Sequence, residues 1–254
     1  MALKKLMAKD IVPGNEAWLF YGPTGGGKTY IAGTFPRPIA VLSSTREKGH
    51  ITLKGHPDAE IYVIDVMQDL DEALALVYNE HRRFRTLVFD GMTSFVEMCY
   101  GETRVRNISP KTPRGYVRQE DYGDWGVMFI DLLTAMRRYP WEVVWTANLG
   151  MSEDKVTGEI KSGPASFRWL AERLPPKFDN VIYMEGRTDS RGVPTFCAYP
   201  SGLGHIYGRL RGTTPVAEVQ FPTWRKLRDL MNNPLFAAPV APPAPPPSAP
   251  AKTN

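Results

Sequence analysis

Ala17-Trp-Leu-Phe-Tyr21-Gly22-Pro23-Thr24-Gly25-Gly26-Gly27-Lys28-Thr29 decides the fold. Its first five residues are apolar without interruption, the pattern of a strand buried on both faces. The next eight satisfy the spacing G-x-x-x-x-G-K-S/T, and the chain then runs directly into a helical pattern. That order has a mechanical reason. Glycines let successive backbone N–H groups turn inward around phosphate oxygens, and a helix N-terminus adds partial positive charge. In this arrangement Gly22, Pro23, Thr24, Gly25, Gly26 and Gly27 cradle the phosphates of ATP. Lys28 reaches the β- and γ-phosphates, and the Thr29 hydroxyl holds Mg²⁺.

A second metal-binding element is an acid at the end of another buried strand. Arg85-Thr-Leu-Val-Phe-Asp90 supplies it, and Asp90 is the candidate acid for the Mg²⁺ site; the alternative is a turn cap beside Gly91. Hydrolysis also needs a base for the attacking water. Gly91-Met92 follows Asp90, so no glutamate adjoins it. Glu47, just beyond the strand at Ile39–Leu42, is the candidate base; a plain turn glutamate beside Lys48 is the competing reading, and Asp65 is the reserve. After Val143–Trp145, Thr146 or Asn148 stands where a γ-phosphate sensor belongs, or in a strand-end turn.

Working outward, apolar runs alternate with helical stripes, the mark of a mainly parallel α/β sheet. Ala17–Tyr21, Ile39–Leu42, Ile61–Ile64, Leu87–Phe89 and Val143–Trp145 read as short buried strands. Leu70, Ala73, Leu74, Val77, Tyr78 and His81 form one amphipathic stripe. Trp125, Met128, Phe129, Leu132, Leu133 and Met136 form another, which Pro140 stops. Beyond residue 180 come shorter β-rich pieces (Val181–Met184, Thr195–Ala198, Val216–Gln220) and a last helix within Pro222–Met231.

Composition sets the limits. The chain has 254 residues, 43% hydrophobic and 23% charged, with 31 Lys+Arg against 27 Asp+Glu for a net charge of +4. That excludes collagen-like, coiled-coil and wholly disordered classes. Eight of the 23 prolines lie in Pro234–Asn254, a Pro/Ala-rich segment expected to be a flexible tail. The expected division is an N-terminal segment 1–14, an ATPase domain 15–233 and the tail 234–254. Two cysteines, no zinc spacing, no signal peptide and no apolar span point to a protein of a reducing cytoplasm without a membrane partner.

The mild total charge is unevenly spread. Between Thr103 and Gln119 lie Arg104, Arg106, Lys111, Arg114 and Arg118 with no acid, interleaved with Tyr116. Two prolines and a glycine mark this stretch as a loop. Its cations suit phosphates and its tyrosine suits unpaired bases, so it is the candidate site for single-stranded DNA; a mobile surface loop is the alternative. Leu149–Ser166 reads as a second loop, with mixed charge.

These features together resemble the RecA-like ATPases. GPTGGGKT, TLVFDGMTS, the acid after the second strand and the strand ending Trp145-Thr146-Ala-Asn148 carry the resemblance over about residues 15–213. Gln119-Glu-Asp-Tyr-Gly-Asp-Trp125 and Leu174-Pro-Pro-Lys-Phe-Asp179 are similar to the phage and prophage AAA-type ATPases that accompany single-strand annealing and recombination. The resemblance implies a RecA-like α/β fold and a homo-oligomer with ATP at subunit interfaces. It places DNA loops after the Asp90 and Asn148 strands, and implies an annealing or single-strand-binding protein as partner. The family often carries a late basic pair, K-x-R, that reaches the neighbour's γ-phosphate; Arg209-Leu-Arg211 stands there, with Arg in the first position, and solvated loop cations are the alternative. The second strand reads SSTRE where the family has an acid-rich D-x-E. The expected activity is Mg²⁺-dependent, DNA-stimulated ATP hydrolysis in recombination. An ATP-switched mediator that loads a partner, or a nucleotide or small-molecule kinase, are the alternatives.

Overall fold

The computed structural model describes residues 15–106, 119–153, 160–165, 173–188, 192–202, 206–211, 216 and 218–232. The terminal segments 1–14 and 234–254 lie outside these residues. The leading strand β1 (Ala17–Gly22) is buried along its whole length and is followed by α1 (Lys28–Ala32). Next come β2 (Ile39–Ser44), β3 (Ala59–Ile64), α2 (Met67–Asn79), β4 (Thr86–Asp90) and α3 (Met92–Arg106). The chain continues with α4 (Gln119–Met136), β5 (Glu142–Glu153), β6 (Ile160–Pro164), β7 (Asn180–Thr188), β8 (Pro194–Tyr199), β9 (Val219–Gln220) and α5 (Trp224–Asn232).

Among the described residues these strands make one sheet in the order β3-β2-β4-β5-β1-β7-β8-β9, with β6 paired to β5. From β3 through β7 every neighbouring pair is parallel; β8, β9 and β6 join antiparallel. This is the α/β class expected of a RecA-like protein, with a mainly parallel sheet covered by helices on both faces.

The alternation of side chains along β1 explains the two covers. Trp18 and Phe20 point into a core with Ile31, Phe35 and Leu227, so α1 and α5 cover that face. Leu19 and Tyr21 join the opposite core, built with Leu70 and Val77 of α2, Phe95 and Cys99 of α3, and Trp125 and Phe129 of α4. At the centre of this second core Phe89 stacks on Trp145 with centroids 3.9 Å apart and planes 1° from parallel. Phe95 and Phe129 pack their edges against Trp145 at 5.8 and 5.5 Å. Such aromatic pairs contribute about 1 kcal/mol each beyond burial. They fix β4 and β5 one residue before each strand reaches the site.

Several sequence expectations need correction. The stretch beginning at Thr103 does not start as a loop: α3 runs to Arg106. The first prolines of the stretch come later, and Thr103 is buried with its hydroxyl donating to the Cys99 carbonyl at 2.9 Å, inside the helix. Leu149–Ser166 is not mainly a loop either. β5 continues through it to Glu153 and pairs with β6, so its described ends form a hairpin. The strand at Ile61–Ile64 is not buried on both faces. It is the sheet edge, and Ile61 and Val63 are exposed. Val216–Gln220 shrinks to the two residues of β9. Cys99 and Cys197 are free and buried, and no described helix is long and apolar enough to cross a membrane.

Candidate functional site

The sheet order puts β5 between the phosphate-loop strand β1 and the acid strand β4, and parallel register then aligns their carboxyl ends. Gly22 pairs with Asn148, Asp90 with Thr146, and Ser43 of β2 with Asp90. Side chains from four strand ends therefore meet in one crevice, as expected for the carboxyl edge of a parallel sheet. The cleft holds about 430 Å³; its lining includes the loop from Thr24 to Thr29, Glu47, Asp90, Thr146 and Asn148.

The loop has its shape because two glycines permit it. Gly27, the residue before α1, takes φ 83°, a left-handed conformation that other residues avoid. Gly22 lies so close to β7 that a Cβ there would sit 1.9 Å from the Met184 carbonyl oxygen. Lys28 folds its ammonium back onto the loop, donating to the Gly22 carbonyl at 3.0 Å and the Pro23 carbonyl at 2.9 Å. Burial lowers its proton affinity, while Glu47 and Asp90 raise it. The site thus holds a cation that contacts two loop carbonyls and, among the described residues, forms no salt bridge with a carboxylate.

Asp90 is 3% exposed. One carboxylate oxygen, Oδ1, accepts hydrogen bonds from Thr29 Oγ1 at 3.0 Å and Thr146 Oγ1 at 2.7 Å. Thr146 in turn accepts the Gly91 N–H at 2.9 Å. The other oxygen, Oδ2, is buried and has no hydrogen-bond partner among the described residues. A buried carboxylate oxygen left bare is costly, and a divalent cation or its water is the partner that such an oxygen beside a threonine hydroxyl fits. Thr29 and Asp90 are therefore the residues that would hold Mg²⁺.

Glu47 enters from the segment after β2 and accepts a hydrogen bond from Ser94 Oγ at 3.1 Å. Burial is the main cause that raises its proton affinity, with the Asp90 charge adding to it, while Ser94 and Lys28 oppose the rise. The two acids are separated by a reciprocal pair of glycines. A Cβ on Gly49, two residues past Glu47, would sit 2.0 Å from Asp90 Oδ2; a Cβ on Gly91, next to Asp90, would sit 2.7 Å from the Glu47 carboxyl carbon. Neither glycine is recognisable from its sequence position alone.

The remaining sequence candidates fall into four groups. Asn148 lines the cleft. Asp65 is exposed at the end of β3 and accepts from Thr45 Oγ1 at 2.7 Å, outside the cleft lining, whereas Glu47 lines the cleft. Arg209 and Arg211 lie at the other end of β7. Arg209 pairs its backbone with Val181 and donates its guanidinium to the Phe178 carbonyl. Arg211 bonds Asp179 at 2.8 Å, which also holds Arg137 at 2.7 Å. Asn180 pairs with Trp18, at the start of β1, so this cluster is separated from the loop by the length of that strand. Of the DNA candidates, Arg104 is on α3 with its guanidinium 5.7 Å from the centre of the Tyr100 ring. The backbone of Arg106 closes α3, and Lys111, Arg114, Tyr116 and Arg118 lie outside the described residues.

A family model described as an AAA domain matches residues 15–216. No curated protein matches the chain. Solved structures similar to it include a KaiC-like protein from the hyperthermophilic archaeon Pyrococcus horikoshii, at 12% identity and a TM-score of 0.44, covering 84% of this chain and 93% of that one. Another is the flagellar accessory protein FlaH of Methanocaldococcus jannaschii, at 12% identity and a TM-score of 0.41, covering 84% and 87%.

Proposed function

The chain belongs to the AAA domain family, and from that footing we propose that it is a Mg²⁺-dependent ATPase that works on single-stranded DNA in recombination or annealing. The observation that carries the ATPase reading is the bare Oδ2 of Asp90 in a cleft that also holds Lys28, Thr29 and Glu47. Lys28 exchanges its two loop carbonyls for phosphate oxygens. Thr29 and Asp90 would hold Mg²⁺, which would supply positive charge against the phosphate oxygens. Glu47, oriented by Ser94, accepts the proton of the attacking water; its burial raises its proton affinity above the ordinary carboxylate range, the direction a general base needs. Thr146 holds Asp90 and Gly91 in place, and Asn148 faces the same cleft as the candidate γ-phosphate sensor.

The DNA part of the proposal is supported by the five cations and Tyr116 between Thr103 and Gln119 in the sequence, of which Arg104 and Arg106 belong to the helix following the acid strand. Phage origin and an annealing or single-strand-binding partner follow from the sequence resemblance. So does a homo-oligomer with ATP between subunits. In a head-to-tail assembly, a residue acting on a neighbour's nucleotide lies away from its own cleft, as Arg209 and Arg211 do.

The test is ATP turnover by purified protein with and without single-stranded DNA. Lys28→Ala abolishes turnover, and single-stranded DNA stimulates the unaltered protein. Turnover that survives Lys28→Ala refutes the site, and DNA-independent turnover refutes the DNA role.

A further inference from the structure

We propose that Tyr30 and Phe196 form a nucleobase-stacking platform at the end of the cleft opposite the acids. The assignment rests on the reading of the Gly22–Thr29 loop as a phosphate site and adds the part of the ligand that the loop does not touch.

Position along the sheet gives the direction. Asp90 ends β4, two places from β1 on one side, and Glu47 follows β2 beyond it. Phe196 belongs to β8, two places from β1 on the other side, and lines the same cleft. A nucleoside triphosphate with its phosphates over the loop and its terminal phosphate toward Lys28, Asp90 and Glu47 therefore directs its base toward Phe196 and Tyr30.

The two rings are built into this place rather than left over from the core. Neither belongs to either of the two hydrophobic cores. Phe196 pairs across the strands with Gly186, where a Cβ would come within 3.0 Å of the Gly25 carbonyl oxygen. On the loop side, a Cβ on Gly27 would sit 2.6 Å from Phe196 Cγ. The phenylalanine ring thus lies directly against the phosphate loop, in space that two glycines keep open. Tyr30, on the first turn of α1, meets it with centroids 5.4 Å apart and planes at 39°, and is 40% exposed. At that separation no base fits between the rings. A base stacks on their open face, displacing water from apolar surface that the protein itself does not cover. Stacking uses the π-face that every base has, so the platform accepts adenine and guanine alike.

The deciding measurement is calorimetric binding of ATP, GTP and inorganic tripolyphosphate, each with Mg²⁺, to the unaltered chain, Phe196→Ala, Tyr30→Ala and Lys28→Ala. Phe196→Ala is expected to weaken ATP and GTP about tenfold or more while leaving tripolyphosphate unchanged. Tyr30→Ala, at an exposed position, is expected to weaken the same two ligands by a smaller factor, and Phe196→Tyr to retain their binding. Equal weakening of ATP and tripolyphosphate by Phe196→Ala overturns the proposal, because the ring then only positions the loop. Unchanged ATP affinity in both alanine variants overturns it as well. Lys28→Ala weakens all three ligands if the loop is a phosphate site; if it weakens none, the loop reading fails independently of the result at Phe196.

Discussion

The Thr146 hydroxyl donates to Asp90 Oδ1 at 2.7 Å while its oxygen accepts the Gly91 N–H at 2.9 Å. One side chain on β5 thereby fixes both the acid and the turn that follows it. Thr146→Val keeps the shape, leaves the Gly91 N–H without its acceptor and removes a donor from Asp90. A buried unsatisfied group costs about 1–3 kcal/mol, so the thermal midpoint should fall by roughly 2–10 °C. Mg²⁺ titration of ATPase activity should show a raised requirement for the ion. An unchanged melting curve and an unchanged Mg²⁺ requirement would remove Thr146 from this role.

Glu47→Gln should lower turnover by about 10²–10⁴-fold, the contribution of a positioned base, with ATP still bound. Burial raises the folded-state pKa of Glu47 above that of an ordinary glutamate. Activity that needs the ionised form therefore falls as pH drops through that raised pKa, and the acid limb of the rate profile should lie above the ordinary carboxylate range. The stability sign runs the other way. A raised pKa stabilises the fold fully below the unfolded pKa and loses that contribution as pH rises through the folded one, so ionised Glu47 disfavours folding at neutral pH. Glu47→Gln should thus be as stable as the parent or more stable at pH 7, measured by urea unfolding.

Gly49→Ala places a methyl carbon 2.0 Å from Asp90 Oδ2. The carboxylate must turn or the segment must lift, and Mg²⁺-dependent turnover should drop at least tenfold, a barrier increase of about 1.4 kcal/mol. Gly101→Ala is the control. Nothing lies within 4 Å of its Cβ position on α3, and alanine favours a helix by about 1 kcal/mol over glycine. Equal activity in the two variants would mean that the contact at Gly49 does not constrain the acid.

Arg228 of α5 pairs with Glu16 at 3.2 Å and with Glu142, tying α5 to the leading ends of β1 and β5. Glu142 also accepts the Trp18 indole N–H at 2.8 Å and is 5% exposed. Arg228→Ala leaves that carboxylate buried beside Glu16 without its cation, which should cost about 3–5 kcal/mol in urea unfolding. Arg228→Ala with Glu142→Gln should recover part of the loss; a double variant no better than the single one would show that the ion pair is not the cause.

Neutralising Arg104, Arg106, Arg114 and Arg118 together should weaken single-stranded DNA binding and reduce its dependence on salt, because each phosphate contact removed lowers the slope by about 0.7 for single strands. Fluorescence anisotropy at several salt concentrations reads both quantities. Unchanged affinity and slope would assign the segment another task.

Much of the sheet was legible because buried parallel strands are apolar runs: Ala17–Tyr21, Leu87–Phe89 and Val181–Met184 all fall inside observed strands. The loop, Glu47 and Asp90 are picked out in the sequence because the proposed chemistry needs fixed spacings or strand ends, and the fold brings them to one cleft. Helix α3 was not read, although Met92, Phe95, Val96, Cys99 and Thr103 are spaced as one buried stripe. The stripe ends in cysteine and threonine and is crossed by Gly101, which blurs its period. The outer part of β5, Leu149-Gly-Met-Ser-Glu153, reads as a loop because the continuous apolar run of the buried strand ends where β5 leaves β1 and β4 for a single hairpin partner. Gly49, Gly91, Tyr30 and Phe196 act through close approach between segments distant in sequence, and no local pattern encodes that.

The reciprocal glycines also make a statement about descent. Each acid of the cleft is bordered by a glycine from the other acid's segment, so the four positions form one unit of shared space. Drift at Gly49 moves Asp90, and drift at Gly91 moves Glu47. On the proposed roles of Glu47 and Asp90, a lineage that keeps hydrolysis is expected to hold all four, and one that abandons it is expected to be released from all four at once. Relatives reduced to scaffolds should therefore be recognisable by side chains appearing at the glycine positions together with loss of the acids, even where the Gly22–Thr29 loop survives.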